Sequence, residues 1–143
     1  MPPAERLNQQ DYEQLAAFRL ALRQFVSLTE TNARKAGLTP QQHQALLSIK
    51  GGYPDRAEVT IGDLADHLLL KNHSAVELVA RLVKAGLVSR APSPQDRRRV
   101  CLRVTPEGEA LLEQVSGRSL AELRASGEMT RAFLALAGTT EIS

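Results

Sequence analysis

A chain of 143 residues, 43% of them apolar, can bury one real core, which bounds the architecture at one domain with extensions. No run approaches the length of a membrane helix, the start MPPAERLNQQ has no basic-then-apolar leader, and a single cysteine permits no internal disulfide; a reducing cytoplasm is the expected setting. Net charge is only +2, yet between Leu68 and Arg103 eight Lys/Arg face two acids, while the rest of the chain holds ten basic and fourteen acidic residues. Such segregation marks a phosphate-binding face. The same segment holds no aromatic residue, which argues against single strands stacked on aromatic rings and for a duplex.

In chain order, the first helix is expected over Gln9–Lys35. There Leu15, Phe18, Leu22, Phe25 and Thr29 recur at steps of three and four, flanked by Tyr12 and Val26. At about 40 Å it exceeds what a small core can cover. The surplus reads as a subunit interface, with packing inside the monomer as the alternative. Gly37 stops this helix, and Thr39-Pro40 with Gln42 forms a capping box for the next, which should end near Lys50. The segment GGYPDRA (51–57) is a loop, and Glu58-Val59-Thr60 is a candidate strand for the later hairpin. Thr60 and Asp63 open a helix over Ile61–Leu69, with Leu64, Ala65 and Leu68 facing inward.

The next helix, Asn72–Ala85, turns Ala75, Leu78, Val79 and Leu82 to the core and stops at Gly86. Its other face carries His73, Ser74, Glu77, Arg81 and Lys84, and small polar groups early in a helix suit the reading of base edges in a major groove about 12 Å wide. Lys71 stands at the entrance, placed for a phosphate. Glu77 can accept from cytosine N4, or pair with Arg81 four residues on in the favoured order and orient it; the pair is the expected reading. The strand Leu87–Arg90 leads into an arginine-rich turn, Pro92–Arg99, and the strand Val100–Val104 returns. Arginine at a hairpin tip suits the concentrated negative potential of a narrow minor groove, and Asp96 can brace a neighbouring guanidinium. Thr105-Pro106-Glu107 starts a helix to about Ala125 through Leu111, Leu112, Val115, Leu120 and Leu123, weakened midway by Gly117. Ser126-Gly127 breaks it. Met129, Phe133, Leu134 and Leu136 mark a last short helix before the polar tail GTTEIS.

Helix, turn, helix and an Arg-tipped hairpin describe a winged helix-turn-helix. The expected fold is mainly α with a small β-hairpin, the winged helix-turn-helix being flanked by N- and C-terminal helices. The stretches LTPQQHQALLSI (38–49), TIGDLADHL (60–68), HSAVELVARLVKAGLVSR (73–90) and DRRRVCLRVTPEG (96–108) resemble, in the right order, the MarR family of bacterial winged-helix regulators. The last carries that family's wing signature. The resemblance divides the chain into an N-terminal dimerisation helix (1–37), a DNA-binding lobe (38–105) and C-terminal dimerisation helices (106–143).

The resemblance implies a homodimer on a pseudo-palindromic double-stranded operator, acting as a repressor or occasionally an activator, and relieved by a small ligand. Carried over residue by residue, Lys71, Asn72, His73, Ser74, Glu77 and Arg81 fall on the recognition helix, and Asp96, Arg97, Arg98 and Arg99 on the wing. The family often has a basic residue where Glu77 stands, so its base preference does not transfer. The family's usual ligand site lies between the dimer helices and the lobe, where Tyr12, Arg19, Arg23 and His43 could contribute and an arginine would suit an effector such as an aromatic carboxylate.

Cys101 alternates with Val100 and Leu102 and so should share a face with Arg99 and Arg103, basic neighbours of the kind that lower a thiol pKa. Similar families' oxidant sensors carry their cysteine near the first helix, so Cys101 reads as an inert strand residue. His43, His67 and His73 lie on three separate elements without a metal-ligand pattern. No cofactor is expected, and no nucleophile–base pair, phosphate loop or paired carboxylates point to an enzyme. The competing class is a winged-helix protein-interaction module without DNA binding, for which Glu77 is the best argument.

Overall fold

The computed structural model describes residues 6–137, so the tail GTTEIS lies outside the described residues. Among the described residues, six helices and three strands run in the order α1 (Gln9–Lys35), α2 (Pro40–Gly51), β1 (Val59–Thr60), α3 (Ile61–Leu68), α4 (Asn72–Lys84), β2 (Val88–Pro92), β3 (Val100–Val104), α5 (Pro106–Ala125) and α6 (Gly127–Ala137). The fold is the mainly helical one expected, and the capping chemistry explains where its helices start. Thr39 and Thr60 each form complete capping boxes with Gln42 and Asp63. A third box, Asn8 with Asp11, opens α1.

Some element ends differ from the sequence reading. α3 stops at Leu68, because Leu69 turns into the left-handed region (φ 56°) and closes the helix as its cap. The hairpin strand runs over Val88–Pro92 rather than Leu87–Arg90, paired with β3 from Val88↔Val104 to Pro92↔Val100. α5 runs through Gly117 to Ala125 as expected; a helix already held by packing on both sides of one glycine absorbs its entropic cost of roughly 1 kcal/mol.

β3 is the central strand of a three-stranded antiparallel sheet, with β1 on one side (Val59↔Leu102, Thr60↔Cys101) and β2 on the other. Leu46, Leu64, Val79 and Leu82 are completely buried between α2, α3 and α4, joined by Leu87, Val88 and Leu102 from the sheet and by Leu112 and Val115 from α5. Gly86 (φ +76°) lets the chain leave α4 in the left-handed conformation and enter β2.

The start of α5 is locked to that turn. Thr105 Oγ1 donates to the Gly86 carbonyl at 2.6 Å and accepts from Gly108 N, while Thr105 N donates to the Leu87 carbonyl. Gly108 is the residue that permits the approach: a Cβ there would overlap the Leu87 carbonyl oxygen and the Val104 side chain. The Thr-x-x-Gly spacing is thus a packing requirement at the joint between lobe and C-terminal helices.

α1 packs against α6 and α5. Phe18 meets Phe133 edge-on, with ring centroids 5.3 Å apart, and a buried bond from Asn32 Nδ2 to Ser119 Oγ (3.2 Å) ties α1 to α5. The predicted stripe of α1 is only partly satisfied: Phe18, Leu22, Phe25 and Thr29 are half-buried, whereas Leu15 and the flanking Tyr12 and Val26 stay exposed, and outside the stripe so do Leu20, Leu120, Leu134 and Leu136.

Candidate nucleic-acid interface

α4 presents two faces. Ala75, Leu78, Val79 and Leu82 are buried as their spacing predicts, and Asn72, His73, Glu77, Arg81 and Lys84 are exposed; Ser74 is half-buried on the flank. Lys71 occupies the N-cap position but its side chain makes no capping bond, and it too is exposed. The helix therefore opens on a cation and on backbone N–H groups that no side chain caps. That combination suits an oxyanion such as a phosphate oxygen.

The expected Glu77–Arg81 pair is not formed. The ion pairs among the described residues are Arg34–Glu30, Lys50–Glu109, Arg56–Asp63 and Arg98–Asp96. Holding two long exposed side chains in one geometry costs about as much entropy as the screened attraction returns. Glu77 thus keeps a free carboxylate on the outer face, able to accept from a donor such as cytosine N4.

The wing is braced. Asp96 Oδ1 accepts from the Arg98 backbone N at 3.1 Å and from Arg98 Nε at 3.3 Å. Arg98 has 93% of its side chain exposed, so the carboxylate directs a guanidinium that is otherwise in solvent. Arg97 and Arg99 are exposed as well. The base of the wing rests on a residue the sequence reading passed over. Ser93 is buried; its Oγ donates to the Glu58 carboxylate (2.8 and 3.0 Å) and accepts from Gln95 N and Asp96 N, while Ser93 N donates to the Arg99 carbonyl at 2.8 Å. One hydroxyl fixes both the turn that carries Asp96 and its distance from β1. A serine followed by two turn residues is a local signal for such a motif, but Glu58, 35 residues away, is not legible without the fold.

Cys101 lies in the same knot. It does not share the exposure of Arg99 and Arg103: it is buried in the central strand. Burial pushes its thiol pKa up, the adjacent Glu58 carboxylate pushes it further, and Ser93 and Arg103 oppose this without reversing it. The thiolate is disfavoured, which fits the inert reading.

At the entry to α3, burial pushes the Asp63 carboxyl up, but hydrogen bonds from Thr60 and the Arg56 guanidinium (2.5 Å) outweigh it and leave the pKa below the usual carboxylate range. Tyr53 reinforces the corner, donating to the Asp63 carbonyl with Arg56 lying over its ring. These bonds hold the first helix of the helix-turn-helix in place against the loop before it.

The four residues expected at a ligand pocket are not brought together. Arg19 and Arg23 line an open cleft along α1 with Leu22, Val26, Ser27 and Glu30. Tyr12 is exposed near the start of α1, and His43 is buried on α2, where burial lowers its pKa; neither lines that cleft. Among the described residues no group of His, Cys, Asp and Glu could hold a metal ion, and no helix is long and apolar enough to cross a membrane.

Comparison with known proteins agrees with this geometry. The MarR family model matches residues 36–99, from the end of α1 to the tip of the wing. The uncharacterized HTH-type transcriptional regulator YsmB of Bacillus subtilis is 28% identical over 107 residues, covering 72% of this chain and 70% of YsmB. The HTH-type transcriptional regulator FarR of Neisseria gonorrhoeae is 33% identical over 81 residues, covering 57% of this chain, and the match spans about half of FarR (53%). Among solved structures, a single-site mutant of MarR from Escherichia coli complexed with operator DNA superposes with a TM-score of 0.65 over 96% of this chain and 99% of that one at 21% identity, a likeness of fold. The helix-turn-helix and braced wing thus match the MarR family of winged-helix transcription regulators over residues 36–99, and the flanking helices follow the order of the MarR fold.

Proposed function

We propose that this regulator acts as a homodimeric repressor on a pseudo-palindromic duplex, with its DNA affinity lowered by a small-molecule effector. The observation that carries the DNA-contact assignment is the wing, where Asp96 holds the nearly fully exposed Arg98 in one direction. A carboxylate spent on orienting a solvated guanidinium gains the monomer little stability, and it preorganises a contact with a minor groove. In this reading Asn72, His73, Ser74 and Glu77 face base edges, Lys71, Arg81, Arg97 and Arg99 face the backbone, and Arg98 enters the minor groove.

The dimer is supported by the apolar surface left open on α1, α5 and α6, which a second copy would cover. Two recognition helices would then lie in successive major grooves, roughly 34 Å apart. The cleft holding Arg19 and Arg23 supports an effector with a carboxylate, an aromatic acid being the simplest fit.

Selection from a random duplex pool, followed by titration at several salt concentrations, tests the reading. A recovered palindrome and an affinity that falls steeply with salt, through release of several counterions, are expected. A flat salt dependence, or no binding at low salt, would favour a protein-interaction module, for which Glu77 on the outer face of α4 is the structural argument.

A further inference from the structure

The exposed face of α4 is divided lengthwise. His73, Val76, Glu77, Ala80, Arg81 and Lys84 are all exposed. Glu77 and Arg81 form one row at i,i+4 spacing, and Val76 and Ala80 form another beside it. Val76 is 41% exposed, although Ala75, Leu78 and Val79 around it are buried. A β-branched residue is a poor choice for a solvated helix position: it loses side-chain freedom there and leaves apolar surface in water.

The position decides what could cover it. Val76 stands in the first half of α4, the half of a recognition helix that reaches base edges, one turn beyond Asn72 and His73. The same helix exposes Arg81 and Lys84 and is entered at Lys71, cations that favour a polyanion over an apolar protein partner. In the major groove the one apolar feature of a base pair is the 5-methyl group of thymine, which is read by van der Waals contact with a small apolar side chain.

We infer that Val76 is a specificity-determining residue that reads the 5-methyl group of a thymine in each half-site. Ala80, a turn further along and shorter, extends the apolar row but sits beyond the base-reading half of the helix. The inference rests on α4 being the recognition helix, and the two are separable by experiment.

The probe is the duplex selected from a random pool, in which each thymine of one half-site is replaced in turn by deoxyuridine, a change that removes the methyl and leaves every hydrogen-bonding group. For the unaltered protein, one replacement should weaken binding about fourfold, the loss expected for one buried methyl group, and the others should have little effect. In Val76→Ala, thymine and uracil at that position should bind equally, with salt dependence and thermal stability as in the unaltered protein. If no replacement matters, or if Val76→Ala keeps the preference for thymine, the role of Val76 is refuted while the recognition helix stands. Absence of selective duplex binding by the unaltered protein would refute both.

Discussion

In the lobe from Leu38 to Val104, Leu46, Leu64, Val79 and Leu82 are sealed from solvent, whereas along α1, α5 and α6 Leu15, Leu20, Leu120 and Leu134 each stay about half exposed. Both regions are helical and amphipathic, so the difference lies in what closes them. The lobe has a sheet of its own and is closed by the start of α5: β3 supplies Leu102, and α5 supplies Leu112 and Val115. Beyond the stretch of α5 seated on the lobe, the helical ends pack on one another, joined by the Phe18–Phe133 contact and the Asn32–Ser119 bond. An apolar face that its own chain does not finish is what a second copy would complete. The rigid part thus carries the proposed DNA contacts, and the unfinished part carries the proposed assembly.

The sharpest way to break this comparison is at the joint. Gly108→Ala would drive a methyl group into the Leu87 carbonyl and Val104. Backbone cannot yield as a flexible side chain does, so a loss of more than about 3 kcal/mol of unfolding free energy is expected by urea titration. A loss below about 1 kcal/mol would mean that α5 is not seated on the lobe as described. The next largest effect belongs to the open face. Leu20, 54% exposed, replaced by Asp should raise the dimer dissociation constant at least tenfold, about 1.4 kcal/mol, in sedimentation runs, with helix content unchanged. An unaltered dimer would place the interface elsewhere.

How much of this is legible in the sequence follows the same division. The caps Thr39, Thr60 and Thr105 and the inward set Ala75, Leu78, Val79 and Leu82 are local or periodic signals, and the structure places them as read. The Asp96–Arg98 brace is legible for the same reason, being a contact two residues long. The Glu58–Ser93 link is not, because its partners are joined only by the sheet. Cys101 departs from its expected surface for a related reason: alternation predicts an exposed neighbour for each buried residue, but β3 is central and both Cys101 and Leu102 are covered. Glu77–Arg81 fails differently, since correct spacing does not outweigh the entropy of two solvated side chains. The exposed Val76 escapes notice because apolar periodicity lists what is inside and passes over an apolar residue that is not.

A smaller effect tests whether the wing belongs to the lobe's proposed contact surface or only to its stability. Arg98 makes its side-chain bond to Asp96 and otherwise faces solvent. Arg98→Ala should therefore leave the urea midpoint nearly unchanged and weaken duplex binding by about 1 kcal/mol, the low end for a direct contact. Ser93→Ala should reduce both, because the wing loses its anchor on Glu58 as well as the acceptor for Gln95 N and Asp96 N. Equal stability losses in the two variants would remove the distinction between a probe and its support.

The smallest effect concerns how completely the lobe is sealed along α2 (Pro40–Gly51). His43 is buried there, and burial lowers its pKa below the ordinary value of 6.5. The folded protein then resists protonating this ring while the unfolded chain takes the proton readily, so the unfolded state binds more protons between the folded pKa and 6.5. Stability from this residue is accordingly flat above about pH 7 and declines as pH falls through about 6.5 toward the folded value. Comparing urea midpoints of the unaltered protein and His43→Gln at about pH 7.5 and about pH 5.5 isolates that contribution from the carboxylates, which titrate in both. The unaltered protein should lose more stability over the interval than the variant. Equal losses would mean that the proton reaches His43 in the folded state, and that the lobe is less closed at this edge than its apolar core.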